Sequence, residues 1–184
     1  DCNSAKKYWH FIKLMGRSAS HVTLECALQT HPNITLIGEE VEAKNQTLDD
    51  VVTYIAEIVT DRANLGMNYG VVLVPEGLIE FIPAIKKLIA ELNDMLAANQ
   101  ADFDLVASDH KIDYVLAHLS DENAAIFRSL PLSVSRQLAL ERDPHGDVQV
   151  SLIETEQLLA EMVANKLEQW KKDGLYTGKF ATQH

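Results

Sequence analysis

Gly70-Val71-Val72-Leu73-Val74-Pro75-Glu76-Gly77 is the stretch whose reading decides the fold. Its short apolar run stops at a Pro-Glu-Gly turn, which predicts a strand buried on both faces. A strand with no polar side belongs in a sheet covered by helices. Working upstream, Tyr8-Trp9-His10-Phe11-Ile12-Lys13-Leu14-Met15 is rich in β-formers and partly alternating, so it predicts another strand, ended by Gly16. Ser18 or Ser20 can cap a helix running to about Gln29, and His31-Pro32-Asn33 breaks it. Ile34-Thr35-Leu36-Ile37 predicts a strand that ends in the acidic run Glu39-Glu40-Val41-Glu42. Thr47 with Asp50 resembles a capping box, and Val51, Val52, Ile55, Ile58 and Val59 make one apolar helical stripe that ends near Leu65-Gly66. Downstream, Pro83 suits the first turn of a helix carrying Ile85, Leu88, Ile89 and Leu92. The order strand, helix, strand, helix, strand, helix predicts an α/β fold with a mostly parallel sheet.

Residues from about 94 to 146 break that alternation. Ala97 to Gln100 and Ser108-Asp109-His110 are loop-prone, Ser120-Asp121-Glu122 caps a predicted helix through Arg128, and Ser133 to Arg142 predicts another. Asp143-Pro144-His145-Gly146 stops it. The stretch reads as a helical insertion. Val148 to Ile153 predicts a return to a strand, and Glu156 to Lys172 a last helix. Lys171 and Lys172 suit that helix's C-terminal dipole, and Gly174 suits its cap.

The chain has 184 residues, with 16 basic and 27 acidic side chains and a net charge of −11. Length predicts one domain, or one domain with an insertion. The acidic total argues against a nucleic-acid binder, which needs a basic face for phosphates. No run approaches the roughly 18 apolar residues of a membrane helix. No charged start followed by an apolar core suggests a signal peptide. Cys2 and Cys26 make neither a disulfide framework nor a zinc spacing, and the expected compartment is the cytoplasm. Charge is uneven: in residues 1–20, Lys6, Lys7, Lys13 and Arg17 against Asp1 leave a balance of +3. The chain opens on Asp1 rather than Met and has no glycine-rich phosphate cradle. A phosphoryl donor site, if the protein uses one, is expected elsewhere.

Two loops follow predicted strand ends, where open parallel sheets bind ligands. In Met15-Gly16-Arg17, the guanidinium is a planar fork that matches phosphate or carboxylate, and Gly16 permits close approach. In Pro75-Glu76-Gly77, the carboxylate can accept hydrogen bonds from sugar hydroxyls. Lys7-Tyr8 can present an ammonium and a phenol to an anion. Each also has a plain structural reading: a turn glycine beside a surface arginine, an acid favoured at a helix start, and an edge-strand pair. His21, near the start of the predicted first helix, reads as a helix-face residue rather than a base; His31 and His118 stand alone without metal-ligand spacing, and Cys26 reads as packing. Asp109, His110 and Asp113 read as a solvated loop.

The string Lys7-Tyr8-Trp9-His10-Phe11-Ile12-Lys13-Leu14-Met15-Gly16-Arg17-Ser18-Ala19-Ser20-His21, followed by Glu25-Cys26-Ala27-Leu28-Gln29-Thr30, closely resembles the pyrophosphate-dependent phosphofructokinases of the long type. Val74-Pro75-Glu76-Gly77-Leu78-Ile79 and the helical stretch look like the same family. The resemblance implies a Rossmann-like three-layer domain spanning residues 1–184, with the insertion at about 94–146. It implies a reversible transfer of phosphate from pyrophosphate to fructose 6-phosphate, with magnesium, in a cytoplasmic homodimer that engages neither membrane nor nucleic acid. By the same resemblance, Met15, Gly16 and Arg17 hold fructose 6-phosphate and Glu76 binds the sugar. Lys7 and Tyr8 would reach the neighbouring subunit's substrate. The family's glycine–aspartate donor loop and its Thr-Ile-Asp motif are expected before Asp1, and a Tyr-Glu-Gly-Arg segment beyond His184. No catalytic or metal-binding residue is therefore expected in this chain, and the chain alone is expected to be inactive. A non-catalytic sugar-phosphate module and a piece of an ATP-dependent phosphofructokinase are the competing readings.

Overall fold

The computed structural model describes residues 8–14 and 32–183. The helix predicted from Ser18 or Ser20 to Gln29, with His21 and Cys26, lies outside them. The described strands are β1 (Trp9–Leu14), β2 (Ile34–Thr35), β3 (Gly70–Pro75) and β4 (Thr182–Gln183). They form one sheet in the order β2-β3-β1-β4, and all three pairings are parallel. The α/β class and the parallel sheet read from the sequence are both present.

The two central strands owe their places to their side chains. In β3, every residue from Val72 to Pro75 is buried, as the uncharged run requires. In β1, Trp9 and Phe11 are fully buried, whereas His10 is half-buried and Ile12 is exposed. Gly70 opens β3 opposite Trp9, and a β-carbon there would stand 2.5 Å from the indole ring and 2.7 Å from Asn33 Oδ1. Only glycine fits that close approach.

The chain divides into two compact units. The first joins the residues up to Ile82 with those from Glu154 onward. Besides the sheet it holds α1 (Gly38–Ala43), α2 (Leu48–Asn64) and a 3-10 turn over Leu78–Phe81. The acidic run predicted to close the second strand instead starts α1, with Glu39 and Glu40 in its first turn. Carboxylates complement the positive end of a helix dipole there. The capping box of α2 forms as predicted: Thr47 Oγ1 accepts from Asp50 N at 3.1 Å, and Asp50 Oδ2 accepts from Thr47 N at 2.9 Å.

The second unit is the continuous stretch Pro83–Ile153. It contains α3 (Pro83–Ala98), α4 (Gln100–Leu105), α5 (Lys111–His118), α6 (Asp121–Ser129) and α7 (Leu132–Leu140). The sequence reading assigned the helix at Pro83 to the sheet's alternation and began the helical stretch near 94. In the structure that helix packs against α4 and α6, in the second unit. Ser120 caps α6 and is itself held by α3, where Glu91 accepts from the Ser120 amide, the Ser120 hydroxyl and the Asn123 side chain.

The strand predicted over Val148 to Ile153 does not form. Val148 makes one antiparallel bridge to Arg142, and Val150–Leu152 is a 3-10 turn. Alternating side chains are not enough for a strand without a continuous partner to take its amides, and Val148 N donates instead to Asn93 Oδ1 at 2.8 Å.

In the first unit, α8 (Thr155–Lys172) returns the chain to the sheet and packs on both β1 and α2. Gly174, with φ of 78°, ends it, and Lys171 and Lys172 occupy its last turn.

Candidate functional site

The strand order locates the site. β1 and β3 are parallel neighbours, with Leu14 opposite Pro75 at their carboxyl ends. From β1 the chain goes on to β2, beyond β3; from β3 it goes on to β4, beyond β1. The two connections therefore leave adjacent strand ends in opposite directions. That is the topological switch point of an open α/β sheet, where a crevice forms outside the carboxyl ends.

Glu76 stands at that crevice. Its amide donates to Leu14 O at 2.9 Å, which extends the β1–β3 ladder one step beyond the strands. Its side chain is exposed. Gly77 follows with φ of 72°, and its carbonyl accepts from Glu80 N at 2.9 Å to start the 3-10 turn. Leu78 and Ile79, both fully buried, anchor that turn. The backbone under Glu76 is thus fixed on both sides, by a strand ladder and by a buried turn.

Lys13 approaches the same end of β1, and its charge is already met. Lys13 Nζ lies 3.8 Å from Glu156 Oε1 in the first turn of α8. One of the cations in the +3 opening stretch is therefore paired within the fold. Glu156 was not among the sequence-derived candidates. No local motif links two residues so far apart in the chain, and only the packing of α8 on β1 brings them together.

Tyr8 lies elsewhere. It is half-buried at the amino end of β1, where its carbonyl accepts from Gly70 N at 3.3 Å. At about 3.3 Å of rise per residue, the length of β1 puts roughly 20 Å between Tyr8 and the crevice. Of the predicted site residues, the structure places Glu76 at the crevice and Tyr8 away from it. Lys7, Met15, Gly16 and Arg17 lie outside the described residues, although Met15 follows Leu14 directly in sequence.

Comparison with known proteins bears on the chemistry. No protein-family model matches the chain. Pyrophosphate–fructose 6-phosphate 1-phosphotransferase of Porphyromonas gingivalis is 62% identical over 182 residues, covering 99% of this chain and 33% of that protein. The enzyme of the same name from Treponema pallidum is 51% identical over 183 residues, covering 99% of this chain and 32% of that protein. The subunit beta 1 enzyme of Arabidopsis thaliana is 51% identical over 183 residues, covering all of this chain and 31% of that protein. Over essentially its whole length the chain is similar to about a third of each of these proteins. The resemblance read from the Lys7–His21 string is borne out along the whole chain, which spans about a third of the length of the curated relatives it matches.

The remaining titratable candidates belong to the second unit. Asp109, His110 and Asp113 are all exposed, with 3.9 Å between the imidazole and each carboxylate. His118 stacks on Tyr114 at 4.1 Å, and its Nδ1 lies 2.8 Å from Tyr114 O. Among the described residues no three His, Cys, Asp or Glu side chains are gathered to hold a metal ion.

Proposed function

We propose that this chain supplies the sugar-phosphate side of a phosphoryl-transfer site that takes fructose 6-phosphate as acceptor and pyrophosphate as donor, reversibly. The observation that carries the reading is the switch-point position of Glu76, next to the strand end from which Met15-Gly16-Arg17 continues, in a chain 62% identical to a pyrophosphate-dependent enzyme. The relatives' names favour pyrophosphate over ATP.

The roles follow from side-chain chemistry. Arg17 pairs its planar guanidinium with the 6-phosphate, and Gly16 lets the phosphate approach the backbone. Glu76 accepts hydrogen bonds from sugar hydroxyls and so fixes the rotation of the ring. Together they orient the 1-hydroxyl towards the donor, and orientation is the main service a protein renders in phosphoryl transfer. The acid–base group and the magnesium ligands are assigned to residues outside this chain.

Lys7 and Tyr8 serve a neighbouring copy in a homodimer. The distance along β1 between Tyr8 and its own crevice supports that role, because Tyr8 faces a different end of the sheet. The Arabidopsis relative's name, a subunit beta, is that of one member of an assembly. The cytoplasm is the compartment proposed for this protein, from the cysteine usage of the sequence.

The test is kinetic. In the intact protein, Glu76→Gln is expected to raise KM for fructose 6-phosphate by about ten- to a hundredfold, the worth of one charged hydrogen bond, and to leave KM for pyrophosphate unchanged. An unchanged fructose 6-phosphate KM would refute the sugar-binding role of Glu76.

A further inference from the structure

The Lys13–Glu156 pair carries more than a surface contact would. Lys13 is the penultimate residue of β1 and Glu156 lies in the first turn of α8. Their side chains are 30% and 14% exposed, so the pair is largely sheltered from screening. At 3.8 Å it is an ion pair without a hydrogen bond. Glu156 Oε2 is closed to solvent and has no hydrogen-bond partner among the described residues. A buried carboxylate oxygen left without a donor calls for an explanation. Stability alone does not supply one, since an apolar pair of similar volume would join α8 to β1 as well or better.

Position supplies it. By strand alternation, Trp9, Phe11 and Lys13 share one face of β1, and Lys13 draws that face onto α8. In register, Lys13 sits opposite Val74, two residues before Glu76. The next residue, Leu14, receives the Glu76 amide, and the chain then continues into Met15-Gly16-Arg17. The ion pair therefore grips the last part of β1 just before the step that holds Glu76.

We propose that Glu156 is a positioning residue of the acceptor site. Through Lys13 it fixes the carboxyl end of β1, and with it the backbone of Glu76, whose amide is held by Leu14 O. The inference rests on the reading of the crevice as the fructose 6-phosphate site. Glu156 touches no substrate, since its free oxygen is inaccessible from outside. The cost of misplacing the pair appears in acceptor binding and not in donor binding.

The experiment is steady-state kinetics on the intact protein with fructose 6-phosphate and pyrophosphate. Glu156→Gln keeps the shape and removes the charge. It is expected to raise KM for fructose 6-phosphate about tenfold and to leave KM for pyrophosphate unchanged. The double variant Lys13→Glu with Glu156→Lys is expected to recover most of the loss. A purely structural role would lower the amount of active enzyme and leave both KM values alone; that result overturns the proposal, as does an equal change in both. Glu76→Gln is measured alongside. If it leaves the fructose 6-phosphate KM unchanged, the reading of the crevice falls and this inference with it. If Glu76→Gln raises that KM and Glu156→Gln does not, the inference alone falls.

Discussion

Two glycines show how single residues hold the candidate site in place. Gly77 has φ of 72°, a left-handed conformation that costs a β-carbon-bearing residue about 1–2 kcal/mol. A β-carbon there would meet only Glu80 Oε2, at 3.3 Å, and that flexible carboxylate can move aside. Gly77→Ala is therefore expected to fold, to lose about 1–2 kcal/mol in chemical denaturation, and, on the sugar-binding role proposed for Glu76, to weaken fructose 6-phosphate binding. Gly70 is the harsher case, because its neighbours are the fully buried Trp9 ring and Asn33, whose Oδ1 accepts from Val71 N at 2.9 Å. Gly70→Ala is expected to cost about 1–3 kcal/mol as overpacking, visible as a lower denaturation midpoint with an unchanged slope. Legibility in the sequence differed between residues for a physical reason. Glu76 was readable because Pro and Gly flank it where an apolar run stops, and turn chemistry is local. Glu156 was not, because its pairing with Lys13 joins chain segments that only the packing of α8 on β1 brings together.

At the scale of elements, short-range chemistry was well foretold and partner-dependent structure was not. The capping box at Thr47 and Asp50, the buried β3 and the glycine stop at Gly174 are all local, and all are present. The strand predicted over Val148 to Ile153 failed because a strand exists only with a neighbour, and among the described residues this segment makes a single β-bridge, from Val148 to Arg142. Arg142 also shows what patterning omits. Its guanidinium donates to the carbonyls of Leu138, Ala139 and Glu141 at the end of α7. Burial pushes it down from the usual arginine value, and Asp147 opposes that shift. Glu91 makes a sharper test. Burial raises its carboxyl pKa, but hydrogen bonds from the Ser120 amide, the Asn123 side chain and the Ser120 hydroxyl outweigh that effect and hold it below the ordinary value. A carboxyl depressed in the folded state contributes stability above its unfolded pKa, and that contribution is lost as pH falls through the folded value. Glu91→Gln is therefore expected to melt lower than the wild type at pH 7, and the gap should close as the pH is taken below about 4. A gap that stays constant from pH 7 to pH 3 would show that the charge on Glu91 does not hold α3 to the cap of α6.

For the whole molecule, the division into two units makes a prediction that neither residues nor elements make alone. The sheet-bearing unit is discontinuous in sequence, because α8 and β4 must return from beyond Ile153 to flank β1. The helical unit Pro83–Ile153 is continuous. Its helices pack on near neighbours in the chain: α3 on α4 and α6, and α5 on α6 and α7. It has its own buried set in Leu92, Phe103, Val115, Phe127 and Leu138. It also has its own polar clamps, from Glu91 to Ser120 and from Asn93 to Val148. Contacts of short sequence separation close small loops at little entropic cost and fold quickly. Pro83–Ile153 expressed alone is thus expected to show helical circular dichroism and a cooperative melt. Phe127, which is 1% exposed, is the natural probe, since Phe→Ala in a core costs about 3–5 kcal/mol, most of the stability of so short a domain. Phe127→Ala should abolish the cooperative transition of the isolated unit. Residues 1–82 alone lack the helix and edge strand that flank Trp9 and Phe11, and they are expected to show no such transition. A shallow, non-cooperative melt of Pro83–Ile153 would mean that its helices depend on the rest of the chain. The discontinuous sheet and the helical stretch would then have to be treated as one folding unit.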